Sequence, residues 1–191
     1  MAINLPEWML KMSGNIHLST KPMFISYKPQ FHLLKGFEIR KILNIIQEGD
    51  FLFRNYNGYV NTILTPGGWS HVGYYAGNNE MIHAVGKGVI SEDILDFCRC
   101  DDLAVGRVIE EYRSKIPIAT QRAKQMLLDK VEYDYKFKDD NGKVYCSEMI
   151  NDMFDGIYDS DFEEIIDGRK ILSPNGIFTS FKTEQLLSFE H

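Results

Sequence analysis

The chain has 191 residues and a formal net charge of −6, with 44% hydrophobic and 25% charged residues, a composition typical of one ordinary folded domain. No run of Lys and Arg provides the basic face of a nucleic-acid binder, so we expect neither nucleic acid nor an anionic membrane surface as a partner. No apolar run approaches the ~20 residues that span a bilayer, and residues 1–10 lack the pattern of a signal peptide. We therefore expect a cytoplasmic protein, unless another export route carries it out.

Three cysteines, Cys98, Cys100 and Cys146, limit the disulfide and metal chemistry that the chain can support. An odd number of cysteines without a secretion signal argues against a disulfide framework. Cys98 and Cys100 have no second Cys or His pair at zinc-ligand spacing, so no structural zinc is expected. We interpret both as small, half-buried residues at a helix end, and we expect neither a metal nor another cofactor.

The residue pattern in the first third of the sequence predicts an arm, a helix and a short strand. Residues 1–35 contain three of the six prolines and little periodicity, which is typical of an extended N-terminal arm. Residues 37–47 are predicted to be a helix because apolar side chains recur at helical spacing. Residues 51–53 are an apolar run typical of a buried strand, and residues 55–69 are rich in the Asn, Gly and Pro of loops.

The middle of the chain predicts a pair of antiparallel strands. Residues 70–76 and 81–85 are expected to pair across a turn at residues 77–79, where Gly and Asn are concentrated. After this pair, Ser91 is expected to cap a short helix that ends near Phe97.

The last third of the chain predicts one more strand and two helices. Residues 103–109 are predicted to be a strand and residues 117–130 a helix, with Pro117 in the first turn, where proline is tolerated. An aromatic and acidic loop at residues 133–142 leads to a second helix that opens at Cys146. This order of helices and antiparallel strands indicates an α+β domain.

Cys146 is the candidate nucleophile. A thiol attacks carbonyl groups as the thiolate, and at a helix start unpaired N–H groups and the helix dipole stabilise negative charge. A nearby imidazole would lower the pKa of the thiol further and would carry its proton. The backbone N–H of Cys146 is also placed to donate to an oxyanion. Without an imidazole partner, the simplest interpretation is a helix cysteine that only packs.

Two of the five histidines stand out, His71 and His83. They lie on the two neighbouring predicted strands, beside small residues such as Ser70 that leave room for a substrate. We predict that His71 is the general base for Cys146 and that His83 orients the His71 ring. The other three histidines lie in the arm or at the end of the sequence and are assigned no role: His17, His32 and His191.

The register of the two strands decides whether the two histidines can meet. A two-residue turn would pair Tyr74 with His83 and put the two imidazoles on opposite faces of the sheet. An odd-length loop centred on Gly77, or a bulge, would bring them to one face, as the chemistry requires. The alternative orienting groups are Asp50 and Glu148, of which Glu148 is the better candidate for a structural role.

Three sequence blocks resemble the strands of the NlpC-type cell-wall peptidases, a superfamily of papain-like cysteine hydrolases. The blocks are residues 49–53, 70–75 and 81–84. In that superfamily two histidines on neighbouring strands stand twelve residues apart, as His71 and His83 do. Its cysteine opens a helix in a Cys-Ser context, as Cys146 does.

The resemblance also implies residues that bind the substrate or the oxyanion. In the superfamily a tyrosine lies roughly a dozen residues before the cysteine, and its hydroxyl serves the oxyanion hole. Tyr133 and Tyr135 both match that position. Ser70 and Glu148, which flank the histidine and the cysteine, complete the set of candidates.

The order of the blocks resembles the circularly permuted branch, because the cysteine helix follows the histidine strands. That branch includes the YiiX/YebB-like proteins and lecithin–retinol acyltransferase, and the resemblance to the first group is the stronger. It is carried by residues 69–71, 88–97 and 145–148. The implied architecture is a single permuted papain-like α+β domain over residues 1–191, with a central antiparallel sheet and the nucleophile at a helix N-terminus. The family core would span residues 36–154, with residues 155–191 as a C-terminal extension.

The expected activity is that of a cysteine hydrolase acting through a thioacyl intermediate. The resemblance implies an amidase or peptidase for peptide amides or cell-wall stem-peptide amides. An acyltransferase or lipid esterase could use the same residues on an acyl-lipid substrate. A binding protein that retains the fold without turnover is the alternative outside catalysis, and the intact set of Cys146, His71 and His83 argues against it.

Overall fold

The structure is a computed structural model, and it describes residues 16–20, 23–27, 32–57, 68–137, 141–166 and 169–191. The helices are α1 (Gly36–Ile45), α2 (Ile94–Phe97), α3 (Ile116–Leu128), α4 (Cys146–Met153) and α5 (Pro174–Thr179). The first five strands are β1 (Ile16–Thr20), β2 (Met23–Tyr27), β3 (Phe51–Asn55), β4 (His71–Tyr75) and β5 (Glu80–Val85). The others are β6 (Gly88–Asp93), β7 (Asp102–Val108), β8 (Glu163–Ile166), β9 (Arg169–Ile171) and β10 (Thr183–Phe189). Two 3₁₀ helices cover Glu110–Lys115 and Asp159–Asp161.

Six strands pair into one antiparallel sheet in the order β10–β7–β3–β4–β5–β6. Side chains alternate along each strand, so Phe51 and Phe53 of β3 join one buried cluster and Leu52 joins the other. The first cluster contains side chains of α3, α4 and α5, and the second contains side chains of α1 and α2. We call the two sides of the sheet the α4 face and the α2 face.

Most of the predicted core elements are present with small shifts at their ends. The three predicted helices occur as α1, α3 and α4, and the strands predicted before and after the turn occur as β4 and β5. The strand predictions at residues 51–53 and 103–109 correspond to β3 and β7. The mixture of helices and an antiparallel sheet confirms the α+β prediction.

The segment after β5 does not form the helix that we expected Ser91 to cap. Ser91 lies inside strand β6, which pairs with β5 from Val85↔Gly88 to Glu80↔Asp93. The helix is the single turn α2, and its N-cap is Asp93, whose side chain accepts a 2.8 Å hydrogen bond from the Leu95 N–H. The prediction was wrong because a full ladder with β5 satisfies more backbone groups than one serine cap.

The C-terminal segment contributes to the central sheet and to the core. Strand β10 pairs with β7 at the edge of the sheet, and Ile177 and Phe178 of α5 belong to the cluster on the α4 face. In the predicted arm, β1 and β2 form a separate antiparallel pair, while residues 1–15, 21–22 and 28–31 lie outside the described ranges. Parts of the two predicted loops, residues 58–67 and 138–140, also lie outside them. In the ranges that are described, no helix combines the length and the apolar character needed to cross a bilayer.

Asp50 ties the end of α1 to the sheet. Its carboxylate accepts hydrogen bonds from Arg107 Nε at 2.6 Å and Nη2 at 2.8 Å, and from the Gln47 N–H at 2.8 Å. Arg107 also donates to the carbonyl of Ile45, the last residue of α1. Burial raises the pKa of Asp50, although Arg107 and Gln47 oppose the increase. These bonds give Asp50 a structural role and leave it unsuited to orient His71.

Candidate active site

Helix α4 begins at Cys146, and the surrounding contacts fix this helix start firmly. The Tyr145 N–H donates to Glu148 Oε2 at 3.2 Å, so Glu148 caps the helix as its expected structural role requires. Two further bonds reach Leu172: its N–H donates to the Tyr145 hydroxyl at 3.2 Å, and its carbonyl accepts from Ser147 Oγ at 2.7 Å. The residues on both sides of the cysteine are therefore held by the C-terminal segment.

The Cys146 thiol is buried at this helix start, with 6% of the residue exposed. Burial raises the pKa of the thiol above 9.0, while the backbone N–H of Val72 and groups of Ser147 act in the opposite direction. We expected the helix start to lower the pKa. The opposite direction follows because desolvation of a thiolate outweighs the donors around it, so the resting form is the neutral thiol.

The His71 and His83 side chains lie in contact on the α2 face. The loop between β4 and β5 has three residues and is centred on Asn78, because Tyr75 pairs with Met81 and the Ala76 N–H bonds the Glu80 carbonyl. Its residues have φ values of +82° at Gly77, +52° at Asn78 and +64° at Asn79, conformations that Gly and Asn adopt most readily. This odd length puts both histidines on one face, and Nε2 of His71 lies 2.7 Å from Nδ1 of His83.

The pairing of β4 with β5 ends close to the thiol. The β4–β5 ladder contains only the pairs Tyr74↔Ile82 and Tyr75↔Met81, so it ends before His71. Cys146 packs in the cluster on the α4 face, and its neighbouring backbone donor is Val72, the residue next to His71. Within the described ranges the thiol makes no hydrogen bond to the His71 ring. The cysteine and the histidine thus approach the same end of β4 from opposite faces.

The sequence model of one family matches residues 45–181, and its description is the permuted papain-like amidase enzyme, YaeF/YiiX, C92 family. The chain belongs to this family. The match begins nine residues after the start of the predicted core and extends well into the C-terminal segment. Among solved structures, the fold is similar to that of the metalloprotein YiiX from Escherichia coli O157:H7. The TM-score is 0.60 at 18% identity, covering 76% of this chain and 98% of the other. A search of the curated proteins finds no match.

Membership of the C92 family establishes the chain as a permuted papain-like protein of amidase type. In the part of the chain that the structure describes, no three or more His, Cys, Asp or Glu side chains come together to hold a metal ion.

Two charged residues that we did not identify from the sequence extend the histidine pair. Glu92 Oε1 lies 3.1 Å from Nε2 of His83 and 3.1 Å from Nη1 of Arg54. Arg54 also donates to the carbonyl of Phe97 at 3.3 Å, and its guanidinium lies 4.2 Å from the centre of the Phe97 ring. The signal in the sequence was the pairing of β6 with β5, which the wrong helix prediction at Ser91 obscured.

Burial and charge keep both imidazoles of this C92-family protein neutral. Burial lowers the pKa of His71 well below 6.5, and the charges of Arg54 and His83 lower it further. The pKa of His83 is also lowered, chiefly by burial, although its contact with Glu92 opposes the change. A neutral imidazole can accept a proton from a neutral thiol, which is the requirement for a general base.

The aromatic ring of Phe97 packs against both imidazoles. The Phe97 ring lies 5.9 Å from the His71 ring and 5.2 Å from the His83 ring, measured between centres. A Cβ atom at Gly73 would lie 2.6 Å from the Phe97 ring, so only glycine at this position lets the ring approach the strand. This packing restricts the rotation of both histidines.

The two candidate tyrosines have different surroundings. The Tyr135 hydroxyl donates to the Gly86 carbonyl at 2.9 Å. The Tyr133 hydroxyl makes no hydrogen bond within the described ranges. Burial, and to a smaller extent the neighbouring Cys146, raise the pKa of this hydroxyl well above 10.0. Tyr133 is therefore the better candidate for an oxyanion donor. Ser70 donates to the Arg54 carbonyl at 3.3 Å, which fixes the start of β4.

Proposed function

We propose that this protein is a cysteine amidase that cleaves the amide bonds of peptides through a thioacyl intermediate. The stem peptides of bacterial cell walls are one class of such substrates. Cys146 is the nucleophile, His71 the general base and His83 the group that orients His71. The observation that carries the proposal is the 2.7 Å contact of the two imidazoles at the end of β4, where the helix-start cysteine reaches the same strand.

The contact between the histidines assigns the reactive nitrogen of His71. Because Nε2 faces His83, Nδ1 is the nitrogen left to receive the thiol proton. In the acylation step, proton transfer from Cys146 to Nδ1 accompanies attack of sulfur on the carbonyl carbon. The His71 imidazolium then gives this proton to the departing amine as the C–N bond breaks. Water, deprotonated by the same nitrogen, hydrolyses the thioester and restores the thiol.

The negative oxygen of the tetrahedral intermediate needs donors that are already in place. The Cys146 N–H belongs to the first turn of α4, where N–H groups have no partner within the helix, and the Tyr133 hydroxyl is the second candidate donor. A hydroxyl whose pKa is raised remains protonated and can donate throughout the reaction. Both donors approach from the α4 face, the side on which the thiol lies.

An acyltransferase or lipid esterase would use the same first step with a different acyl donor or acceptor. A panel of fluorogenic aminocoumarin amides of N-acylated amino acids, matched oxygen esters and a short-chain phosphatidylcholine separates these activities. We expect turnover of at least one amide, and its loss in Cys146→Ala. Turnover of the esters or the lipid, with no turnover of any amide, would contradict the amidase proposal. It would support an acyltransferase or lipid esterase instead. Binding without turnover of any member would favour a non-catalytic protein.

A further inference from the structure

We propose that Glu92, held by Arg54, is a positioning residue that fixes the tautomers of His83 and His71 and leaves Nδ1 of His71 unprotonated. The inference rests on the proposed function, because it concerns the base of that reaction. It adds two residues that the cysteine–histidine motif does not contain.

The four side chains form a row across four neighbouring strands. Arg54 of β3 lies directly opposite His71 of β4 in the ladder. Glu92 of β6 pairs with Met81, two residues before His83, so Glu92 is a diagonal neighbour of His83 on the same face. All four side chains project from the α2 face, and the two outer residues also meet, with Nη1 of Arg54 3.1 Å from Oε1 of Glu92.

The negative charge of Glu92 determines in which direction the hydrogen bonds along the row are donated. Burial would raise the pKa of this carboxyl, but hydrogen bonds and charges from His83 and Arg54 outweigh it and hold the pKa below 4.5. An ionised carboxylate can only accept hydrogen bonds. A ring nitrogen 3.1 Å from it is therefore favoured in the protonated state, and this nitrogen is Nε2 of His83.

The tautomer of His83 determines the tautomer of His71 through the short contact between the two rings. A neutral imidazole carries one proton, so a proton on Nε2 of His83 leaves Nδ1 of that ring as an acceptor. The 2.7 Å contact then requires the donor to be Nε2–H of His71. Nδ1 of His71 keeps its lone pair, which is the form needed to accept the proton of Cys146.

Arg54 holds the carboxylate in this position. Its Nη1 bonds both Glu92 and the Phe97 carbonyl, and stacking on the Phe97 ring restricts the guanidinium. The ring N–H of His83 is not well aligned with the carboxylate, and Nε2 has no well-directed hydrogen-bond partner in the described ranges. The 3.1 Å separation of Nε2 from the Glu92 carboxylate is within hydrogen-bond reach, and a small rotation of the carboxylate would align the pair.

The test reads the tautomers directly, by long-range ¹H–¹⁵N NMR of the full chain labelled on histidine. We expect Nε2–H and an unprotonated Nδ1 for both rings of the wild type at neutral pH. Glu92→Leu should remove this preference at His83 and His71. Glu92→Gln, which keeps an acceptor oxygen at the same reach, should largely restore it.

Turnover of p-nitrophenyl acetate provides the second measurement. Glu92→Leu should lower kcat about 10- to 100-fold with KM changed less than about twofold, because orientation of the base acts on the chemical step. Glu80→Leu is the matched control: Glu80 lies in the same β5–β6 pair, and its carboxylate accepts from Ser91 at 2.7 Å without contacting an imidazole.

Four outcomes decide the proposal. A proton on Nδ1 of His71 in the wild type would overturn it, as would unchanged tautomers and kcat in Glu92→Leu. The expected tautomers in a wild type that fails to turn over any ester or amide would support the positioning role and would refute the proposed function instead. A loss of kcat equal in Glu80→Leu and Glu92→Leu would show a general effect on the hairpin and overturn the proposal.

Discussion

Nε2 of His71 lies 2.7 Å from Nδ1 of His83, and in the proposed reaction this contact leaves Nδ1 of His71 to act on Cys146. It exists because a three-residue loop centred on Asn78 brings two residues twelve positions apart to one face of the sheet. The thiol reaches the same end of β4 from the other face.

The nucleophile and its base should behave as one unit. Cys146→Ala should abolish amide turnover, and His71→Ala should be nearly as severe, with a loss of about 100- to 10,000-fold in kcat. The double variant should be no worse than Cys146→Ala, because removing either member already prevents the reaction. The measurement is kcat on the best amide of the panel, with circular dichroism to verify folding. Losses that multiply in the double variant would show that the two residues act independently.

Replacement of His83 should be less damaging than replacement of His71. His83→Ala removes the partner of Nε2 but leaves the base itself, so kcat should fall about tenfold to a hundredfold with little change in KM. Steady-state kinetics of both single variants give the comparison. His17, whose position in the chain gives it no role in the proposed site, supplies the control His17→Ala. Equal losses for His83→Ala and His71→Ala would mean that His83 takes part in the chemistry itself.

The pH dependence of kcat/KM should report the lowered pKa of His71. The neutral ring is the active form, and burial, Arg54 and His83 hold its folded pKa well below 6.5. Activity should therefore stay constant as the pH falls to about 6.5 and should decline only below it. Glu92 faces His83, so it affects the acidic part of this pH profile only through its contact with the His83 ring. A decline that begins above pH 7 would contradict the assignment.

The same shifts predict a loss of folding stability over this acidic range. Below pH 6.5 the unfolded chain binds protons on His71 and His83 that the buried rings resist, so stability is complete above 6.5 and falls as the pH drops through the lowered folded pKa values. Thermal melts at each pH give the control for the kinetic profile. His83→Gln, which removes one of the two groups, should flatten the dependence of Tm on pH.

The sequence predicted the core of the fold because its signals there are local. Helical periodicity located α1 and α3, and the Gly and Asn residues at 77–79 located the β4–β5 turn. The exact register was not determined, since a shift of the loop centre from Gly77 to Asn78 changes which residues pair without changing composition. The proposed chemistry required the histidines to share a face, and the structure supplied the geometry by which they do.

The charged part of the site could not be predicted because it depends on long-range pairing. Glu92 meets His83 only through the β5–β6 ladder, and Arg54 reaches Glu92 across two intervening strands. The direction of the Cys146 pKa also needed the structure, because a helix start lowers it and burial raises it, and only packing decides between them. The first feature depends on strand pairing and the second on how far the thiol is removed from water.

Asp50 should prove structural rather than catalytic. Arg107→Met leaves its buried carboxylate without the bidentate partner and should cost about 3 kcal/mol of unfolding free energy. Asp50→Asn should also lower Tm, while kcat per folded molecule stays within about twofold of the wild type. Urea unfolding and kinetics at a temperature where both variants are folded provide the measurements. A selective loss of kcat in Asp50→Asn would return Asp50 to the list of orienting groups.

The central claim, that Cys146 is a nucleophile activated by His71, is tested most directly by rapid mixing with p-nitrophenyl acetate. The wild type should release a burst of nitrophenolate close to one equivalent, and peptide mass spectrometry of the quenched sample should find the acetyl group on Cys146. In His71→Ala the same adduct should form at least about 100-fold more slowly. An acetyl group on Cys98 or Cys100, or an adduct on Cys146 that forms equally fast in both proteins, would contradict the account.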